Sequence, residues 1–407
     1  MPLDIKKRTK ILAVGLSVAA GLMAARADSL TWDPLLGGGT GGTGTWNLNS
    51  AANWWSGSTD VKWLDNSAGG TNTAVFAGNA GTVTLNSSLS ASNLQFTTAG
   101  YTLSGPGTLT LGSGGLDGSS LGSGITTIGL SLSLIGQQQW LAGAGSTLAV
   151  NGTVTRNTGA AIDFSPTGVK RTAFANDATG ILGAWATVGG FNGGTGDWAA
   201  NDGSGNIVTY AGYTIVSGAG NSSPNLTASA NQNWFAGDAT GVNNYITTVT
   251  TTAAINSLVM LGDVNLANGT TLTLNSGGLI LRGPSRWMLA GTTSFLTTAN
   301  PTGELFVHAP NPNSGRNWVL WPVIQDHGAT PLILVKDGVD EVKLGNMSTY
   351  TGGTIVNGGT LAATSGALYG NGNAPLGVIS PFGSGPITIR NGSQLQFGSD
   401  QIGRAHV

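Results

Sequence analysis

Apolar residues alternate with small polar ones along most of this chain, and glycines interrupt the alternation at short intervals. Leu109-Thr110-Leu111 is one such run, and Ser146-Thr147-Leu148-Ala149-Val150 is another that ends at Asn151-Gly152. A period of two places every second side chain on one face of a pleated strand. Glycine then supplies the sharp corner that follows. The pattern predicts an all-β protein of short strands, with almost no helix signal after the first 27 residues.

Two distant parts of the chain repeat the same pattern. Leu109 corresponds to Leu272 and Leu116 corresponds to Leu279, both with an offset of 163 residues. A repeat of this kind predicts stacked coils of roughly 20 to 25 residues, each burying its apolar side chains against its neighbours. We therefore predict a parallel β-solenoid with irregular insertions. A β-sandwich array is the structural alternative, since it also gives short strands and turns.

The densest set of strand and turn signals lies at 344–361, where two β-type runs and two Gly-Gly pairs follow one another. The run Ser348-Thr349-Tyr350-Thr351-Gly352-Gly353-Thr354, followed by Gly358-Gly359-Thr360-Leu361, resembles the autotransporter-associated β-strand repeat of bacterial surface proteins. The resemblance covers about 335–397 and implies a secreted, right-handed parallel β-helix. We expect corners at Gly352, Gly353, Gly358 and Gly359, and core positions at Leu361, Leu109 and Leu272.

The first residues have the order of a secretory leader. Lys6, Lys7 and Arg8 precede an apolar run at 11–24, and a small-residue cleavage site ends at Ala27. Five of the 16 basic residues lie in this leader, so the rest of the chain is acidic. An acidic chain lacks the basic surface that nucleic-acid binding requires. With no cysteine, the chain has neither disulfides nor thiolate metal sites.

Composition and repeats divide the chain into six segments. The last of them departs abruptly from the glycine-threonine pattern and is similar to the translation of a sequencing adapter, so we expect the natural chain to continue differently there. The predicted segments are a signal peptide at 1–27, a first solenoid unit with a Trp-rich cap at 28–170, an aromatic and Gly-rich insertion at 171–225, a second solenoid unit at 226–334, the strand repeat at 335–401, and the adapter-like end at 402–407.

The acidic residues offer little sign of an active site. Asp337, Asp340 and Glu341 alternate with Lys336 and Lys343, which favours a solvated corner over a carboxylate pair for acid–base chemistry. The separation of His308 and His327 matches no metal-ligand spacing. We predict no catalytic residue, no cofactor and no metal site.

Tryptophans are the candidates for ligand contact. Trp46, Trp54, Trp55 and Trp63 cluster near the start of the mature chain. Aromatic rings at a surface can stack on sugars. Alternatively, they close the exposed end of a solenoid core, because the first coil has no neighbour on one side.

These features predict a non-enzymatic, adhesin-like structural protein, secreted or displayed on the outer membrane of a Gram-negative-type bacterium. Cell-surface or extracellular polysaccharide is the expected partner, nucleic acid is not, and the chain is expected to be a monomer anchored through a C-terminal region that it lacks. The alternatives are a lyase or glycoside hydrolase acting on acidic polysaccharide, and a passive carbohydrate-binding protein.

Overall fold

In a computed structural model, the chain is all-β, and the described residues contain strands but no α-helix. None of these residues forms a helix that could span a lipid bilayer. The structure describes residues 28–65, 72–190, 196–216, 229–237, 246–282, 287–290, 293–310, 318–364, 380–390, 392–397 and 400–404.

The strands, numbered in chain order, form four sheets, and the first two make up an N-terminal unit. Its 13-stranded sheet contains β1 (Ser29–Trp32), β3 (Trp54–Trp55), β4 (Asp60–Val61), β5 (Thr73–Phe76), β7 (Leu89–Phe96), β9 (Thr108–Gly118), β11 (Ser131–Leu134), β12 (Gln137–Ala142), β14 (Val154–Arg156), β15 (Ala161–Phe164), β17 (Ala186–Val188), β18 (Asp197–Asn201) and β19 (Ile207–Thr209). Its six-stranded sheet contains β2 (Gly44–Trp46), β6 (Thr82–Leu85), β8 (Thr102–Ser104), β10 (Gly124–Ile128), β13 (Ser146–Val150) and β16 (Val169–Thr172).

The other two sheets make up a C-terminal unit. Its ten-stranded sheet contains β20 (Thr214–Val216), β21 (Asn233–Ala236), β23 (Ala253–Met260), β25 (Thr271–Leu281), β27 (Phe295–Thr298), β28 (Glu304–His308), β30 (Val323–Ile324), β31 (Ile333–Asp337), β33 (Gly353–Val356) and β35 (Ile387–Ile389). Its eight-stranded sheet contains β22 (Ile246–Val249), β24 (Asp263–Leu266), β26 (Trp287–Ala290), β29 (Trp318–Leu320), β32 (Glu341–Leu344), β34 (Thr360–Ala363), β36 (Gln394–Phe397) and β37 (Asp400–Arg404).

Most neighbouring strands run parallel and lie one repeat apart in the chain. Ala74 pairs with Leu94, Leu94 with Leu116, Leu116 with Trp140, and Trp140 with Phe164. These residues are fully buried and form one continuous inward column. Each step covers 20 to 24 residues, as the repeat predicts.

The long strands β9 and β25 turn a corner in mid-strand. Where β9 pairs with β7, the register shifts from Ala91↔Leu111 to Asn93↔Gly115, so β7 advances by two residues while β9 advances by four. The first part of β9 then pairs with β11 and the second with β12. The two parts of the 13-stranded sheet and the six-stranded sheet therefore make three strips of parallel strands around one apolar core in the N-terminal unit. Strand β25 divides the ten-stranded sheet of the C-terminal unit in the same way.

This arrangement confirms an all-β fold with long parallel sheets and is consistent with a solenoid. It disagrees with the β-sandwich alternative, whose sheets are antiparallel. Leu109, Leu272 and Leu361 lie in the core, each at most 1% exposed. The segment predicted as an insertion contributes β17, β18 and β19 to the 13-stranded sheet.

The four predicted corner glycines serve two different purposes. Gly353 and Gly359 have positive φ angles of 109° and 61°, which side chains of L-residues rarely adopt. Gly352 and Gly358 are needed for space instead: a Cβ on Gly352 would lie 2.5 Å from the Leu332 carbonyl oxygen, and one on Gly358 would lie 2.9 Å from the Gly338 carbonyl oxygen.

The two units pack side by side and run in opposite directions along their shared face. Gly159 contacts Asn357, Ala184 contacts His308, and Asp197 contacts Arg282, so residue numbers rise in one unit as they fall in the other. Two apolar clusters fill the space between the units. Their buried members are Ala161, Ala184, Phe306, Val335 and Ile355 in one, and Ile181, Trp198, Phe235, Val259 and Ile280 in the other.

Candidate ligand-binding site at the N-terminal end

Three of the four candidate tryptophans lie together inside the protein. Trp46, Trp54 and Trp63 have no exposed surface. The Trp46 ring centroid lies 4.8 Å from that of Trp54 and 4.8 Å from that of Trp63, and the Trp54 and Trp63 centroids are 4.6 Å apart. Trp32 joins the cluster at 5.1 Å from Trp54. We call these four residues the Trp cap.

The Trp cap lies where the 13-stranded sheet ends. Strand β3 pairs antiparallel with β1 and with β4, and β4 is the last strand on that side of the sheet among the described residues. The antiparallel strands interrupt the parallel ladder, and the rings cover the end of the apolar core. This is the arrangement that the capping alternative expects.

The burial of the Trp cap corrects part of the ligand-contact prediction. A ring can stack on a sugar only through an accessible face, and Trp46, Trp54 and Trp63 offer none. Alternation along β3 places Trp55 on the opposite side from Trp54, and Trp55 is half-buried. Of the four predicted contacts, only Trp55 keeps accessible ring surface.

A cleft of about 410 Å³ lies beside the Trp cap. Threonine and asparagine side chains supply its polar groups, and no charged side chain lines it. The lining residues are Pro34, Leu36, Thr43, Gly44, Thr45, Asn47, Ala51, Ala52 and Asn53.

The loop on one side of the cleft is held by a buried carboxylate. Asp33 accepts hydrogen bonds from the backbone N–H groups of Gly37 (3.0 Å), Gly38 (2.7 Å) and Thr40 (3.4 Å). Burial by itself would raise the pKa of Asp33, but hydrogen bonds from the backbone of residues 37–40 outweigh it, so the pKa is lowered. An ionised carboxylate therefore fixes the loop.

The residues that line the cleft also include a strained backbone position, at Leu36, and a buried polar atom, in Asn53. Leu36 has a φ of 58°, a left-handed backbone conformation that is uncommon for bulky residues. Its side chain is 61% exposed. Asn53 is 8% exposed and donates from Nδ2 to the Thr45 carbonyl at 2.6 Å. Its Oδ1 accepts no hydrogen bond from the described residues.

The acidic cluster at 337–341 is not the solvated corner that the sequence predicted. Lys336 and Asp337 are fully buried, because β31 lies between the core of its own unit and the other unit. The Lys336 ammonium donates to the carbonyl oxygens of Gly338 and Gly358, each at 2.8 Å. Burial lowers the pKa of Lys336 to about 7. Only Glu341 and Lys343, 3.7 Å apart and partly exposed, behave as predicted.

The two candidate histidines have different surroundings. His308 is buried between the units, with Nε2 donating to the Ala184 carbonyl at 2.7 Å and Nδ1 lying 3.2 Å from an Asp337 carboxylate oxygen. His327 is exposed. Across the part of the chain that the structure describes, no three His, Asp or Glu side chains come close enough together to hold a metal ion.

Sequence reasoning missed the cleft residues Thr45, Asn47 and Asn53. A usable signal was present, since Asp33-Pro34 followed by three glycines at 37–39 predicts a tight loop. What the sequence did not contain was the position of that loop relative to residues 43–53.

Comparison with known proteins gives one partial similarity. The chain is 46% identical over 78 residues to the adhesin BmaC autotransporter of Brucella suis biovar 1 (strain 1330). The match covers 18% of this chain and 2% of that adhesin, so the chain corresponds to a small part of it. No family model matches the chain, and no solved structure matches it significantly.

Proposed function

We propose that the chain is an adhesin-like, right-handed β-helical segment, secreted or displayed at the surface of a Gram-negative-type bacterium, and that it works by contact rather than by catalysis. The autotransporter-associated strand repeat at 335–397 is part of this proposal. It is supported by the partial similarity to an autotransporter adhesin and by the all-β parallel architecture.

The observation that carries the proposal is the locking of two long parallel stacks against each other without cysteines. The lock consists of two apolar clusters and two partly buried ion pairs between the units. Such a body resists unfolding outside the cell, where a surface protein has to keep its shape.

Surface location can be tested on intact cells of the source bacterium. Antibodies raised against the purified chain should label intact cells, and protease added outside should remove the label while a cytoplasmic marker survives. Labelling that requires permeabilised cells would contradict the proposal. Release of reducing ends or unsaturated sugars from polygalacturonate by the pure chain would favour the enzyme alternative instead.

A further inference from the structure

The cleft beside the Trp cap opens onto the outer face of the six-stranded sheet. Thr43 and Thr45 line the cleft, and Thr45 belongs to β2, the edge strand of that sheet. The Thr82 backbone N–H donates to Thr43 Oγ1 at 3.2 Å, which connects the cleft to β6. Cleft and sheet face therefore form one continuous surface.

Hydroxyl side chains follow one another in register along this face. Thr45 pairs with Thr84 and Thr84 with Ser104. A second row lies two residues away along the strands. We call these two sets the hydroxyl rows: Thr45, Thr84 and Ser104 in one, and Thr82, Thr102 and Thr127 in the other.

The hydroxyl rows point outward because their strand neighbours point inward. Trp46, Val83, Leu85 and Leu103 alternate with them and are fully buried. Parallel strands lie about 4.8 Å apart and alternate residues of a strand about 6.6 Å apart. The face thus presents hydroxyls at regular intervals, and no position of either row carries a charge.

This surface is chemically complementary to an uncharged ligand that carries many hydroxyl groups. Threonine hydroxyls and asparagine amides both donate and accept hydrogen bonds. Pro34, Leu36 and Ala51 add apolar contact beside them, suited to the C–H face of a sugar ring. An extended peptide would instead join a sheet at its edge through backbone hydrogen bonds.

We propose that the cleft and the hydroxyl rows bind a neutral polysaccharide, with one sugar unit in the cleft and the chain lying along the rows. Within the cleft, Thr45, Asn47 and Asn53 are polar residues that line the space for the sugar unit, and hydroxyl and amide groups both donate and accept hydrogen bonds with sugar hydroxyls. The inference deepens the proposed contact function by naming the class of partner.

A second strip of the same unit supplies a matched control. Thr110 pairs with Ser90 on one side and with Ser133 on the other, in a strip that does not line the cleft. Thr110 is half-buried, like Thr84 and Thr102. Replacing it by valine removes one hydroxyl from a similar strand environment.

The test measures retention of the purified full chain on microcrystalline cellulose, chitin and insoluble β-1,3-glucan, with polygalacturonate and heparin resins for comparison. We expect binding to at least one neutral polymer, a fivefold or greater loss of affinity in the Thr45→Val/Thr84→Val double variant, and no change in Thr110→Val. Melting temperatures should agree among the proteins, because valine keeps the β-branched shape.

The inference is overturned if no neutral polymer retains the chain, if only charged resins do, or if Thr110→Val loses as much affinity as the double variant. These outcomes are separate from the test of surface display. If antibodies label intact cells but the purified chain binds no neutral polymer, only this inference is wrong. If the purified chain binds a neutral polymer but is found only inside the cell, the proposed location is wrong.

Discussion

At the scale of single residues, the Gly-Gly pairs show how a solenoid-type corner is built. Gly353 starts β33 with a φ of 109°, and a Cβ there would lie 2.7 Å from the Pro386 carbonyl oxygen. Gly122 has neither constraint, since no heavy atom lies within 4 Å of its would-be Cβ and its φ is not positive. The same substitution should therefore have different costs at these two glycines.

Gly353→Val is expected to lower the free energy of unfolding by about 2 kcal/mol or more, because strain from the positive φ adds to the steric overlap. Gly122→Val should change it by less than about 0.5 kcal/mol. Equilibrium urea unfolding of both variants checks this. Equal stability of Gly353→Val and the unmodified chain would mean that the corner lies elsewhere.

Lys336 is a buried residue whose protonation depends on pH. Its burial lowers the pKa from 10.5 in the unfolded chain to about 7 in the folded one. Below pH 7 both states carry the proton and the burial penalty is fully present. Between about pH 7 and 10.5 only the unfolded state keeps it, so this residue makes stability rise with pH over that window.

Lys336→Met should therefore stabilise the chain most below pH 7, with an advantage over the unmodified chain that shrinks as the pH approaches 10. Urea unfolding of both proteins at pH 6, 8 and 9.5 measures it. A difference that is constant with pH would show that Lys336 has an ordinary pKa in the folded protein.

At the scale of elements, β3 shows how two adjacent tryptophans take different roles. Trp54 is fully buried in the Trp cap, whereas Trp55 is half-buried on the other side of the strand. The Trp54 ring packs against Trp32, Trp46 and Trp63. Stability should depend mainly on Trp54.

Trp54→Ala is expected to cost about 3–5 kcal/mol, since it opens a cavity among the other rings, and Trp55→Ala about 1 kcal/mol or less. Thermal unfolding followed by circular dichroism compares them. Similar melting temperatures for the two variants would contradict the capping role of Trp54.

At the scale of the whole molecule, a buried carboxylate joins the two units. Glu304 is 2% exposed and lies 3.1 Å from Arg156 Nη2 in the other unit, and it also accepts from the Gly159 backbone N–H at 2.6 Å. The Arg156 guanidinium lies 5.1 Å from the Trp185 ring centroid. The partly exposed pair of Glu341 and Lys343 is a natural comparison.

Glu304→Ala should cost about 3–5 kcal/mol, because it leaves Arg156 without its partner in a largely buried place. Glu341→Ala should cost less than about 1 kcal/mol, as expected for a solvent-screened pair. Urea unfolding gives the magnitudes, and hydrogen exchange should show faster exchange at β15 and β28 only in Glu304→Ala. Unchanged exchange in that variant would show that Glu304 does not hold the units together.

The sequence by itself determined the local structure. Alternation and glycine spacing predicted short strands, the stacking period, and core positions such as Leu109 and Leu272, because these depend on neighbours along the chain. The 163-residue offset correctly matched β9 to β25, two strands of 11 residues that both bend in the middle.

Tertiary structure decided which of the outward-facing residues are covered by distant parts of the chain. From the sequence, Lys336 and Asp337 resemble a solvated turn, but the opposite unit covers β31. The apolar run at 332–335 was the available signal of this burial. A strand that is buried on both faces loses its alternation of apolar and polar residues. The packing of rings at the end of the core likewise hid three candidate tryptophans and left an uncharged cleft beside them. Burial depends on which distant segments meet, and the pattern along one strand contains that information only where both of its faces turn apolar.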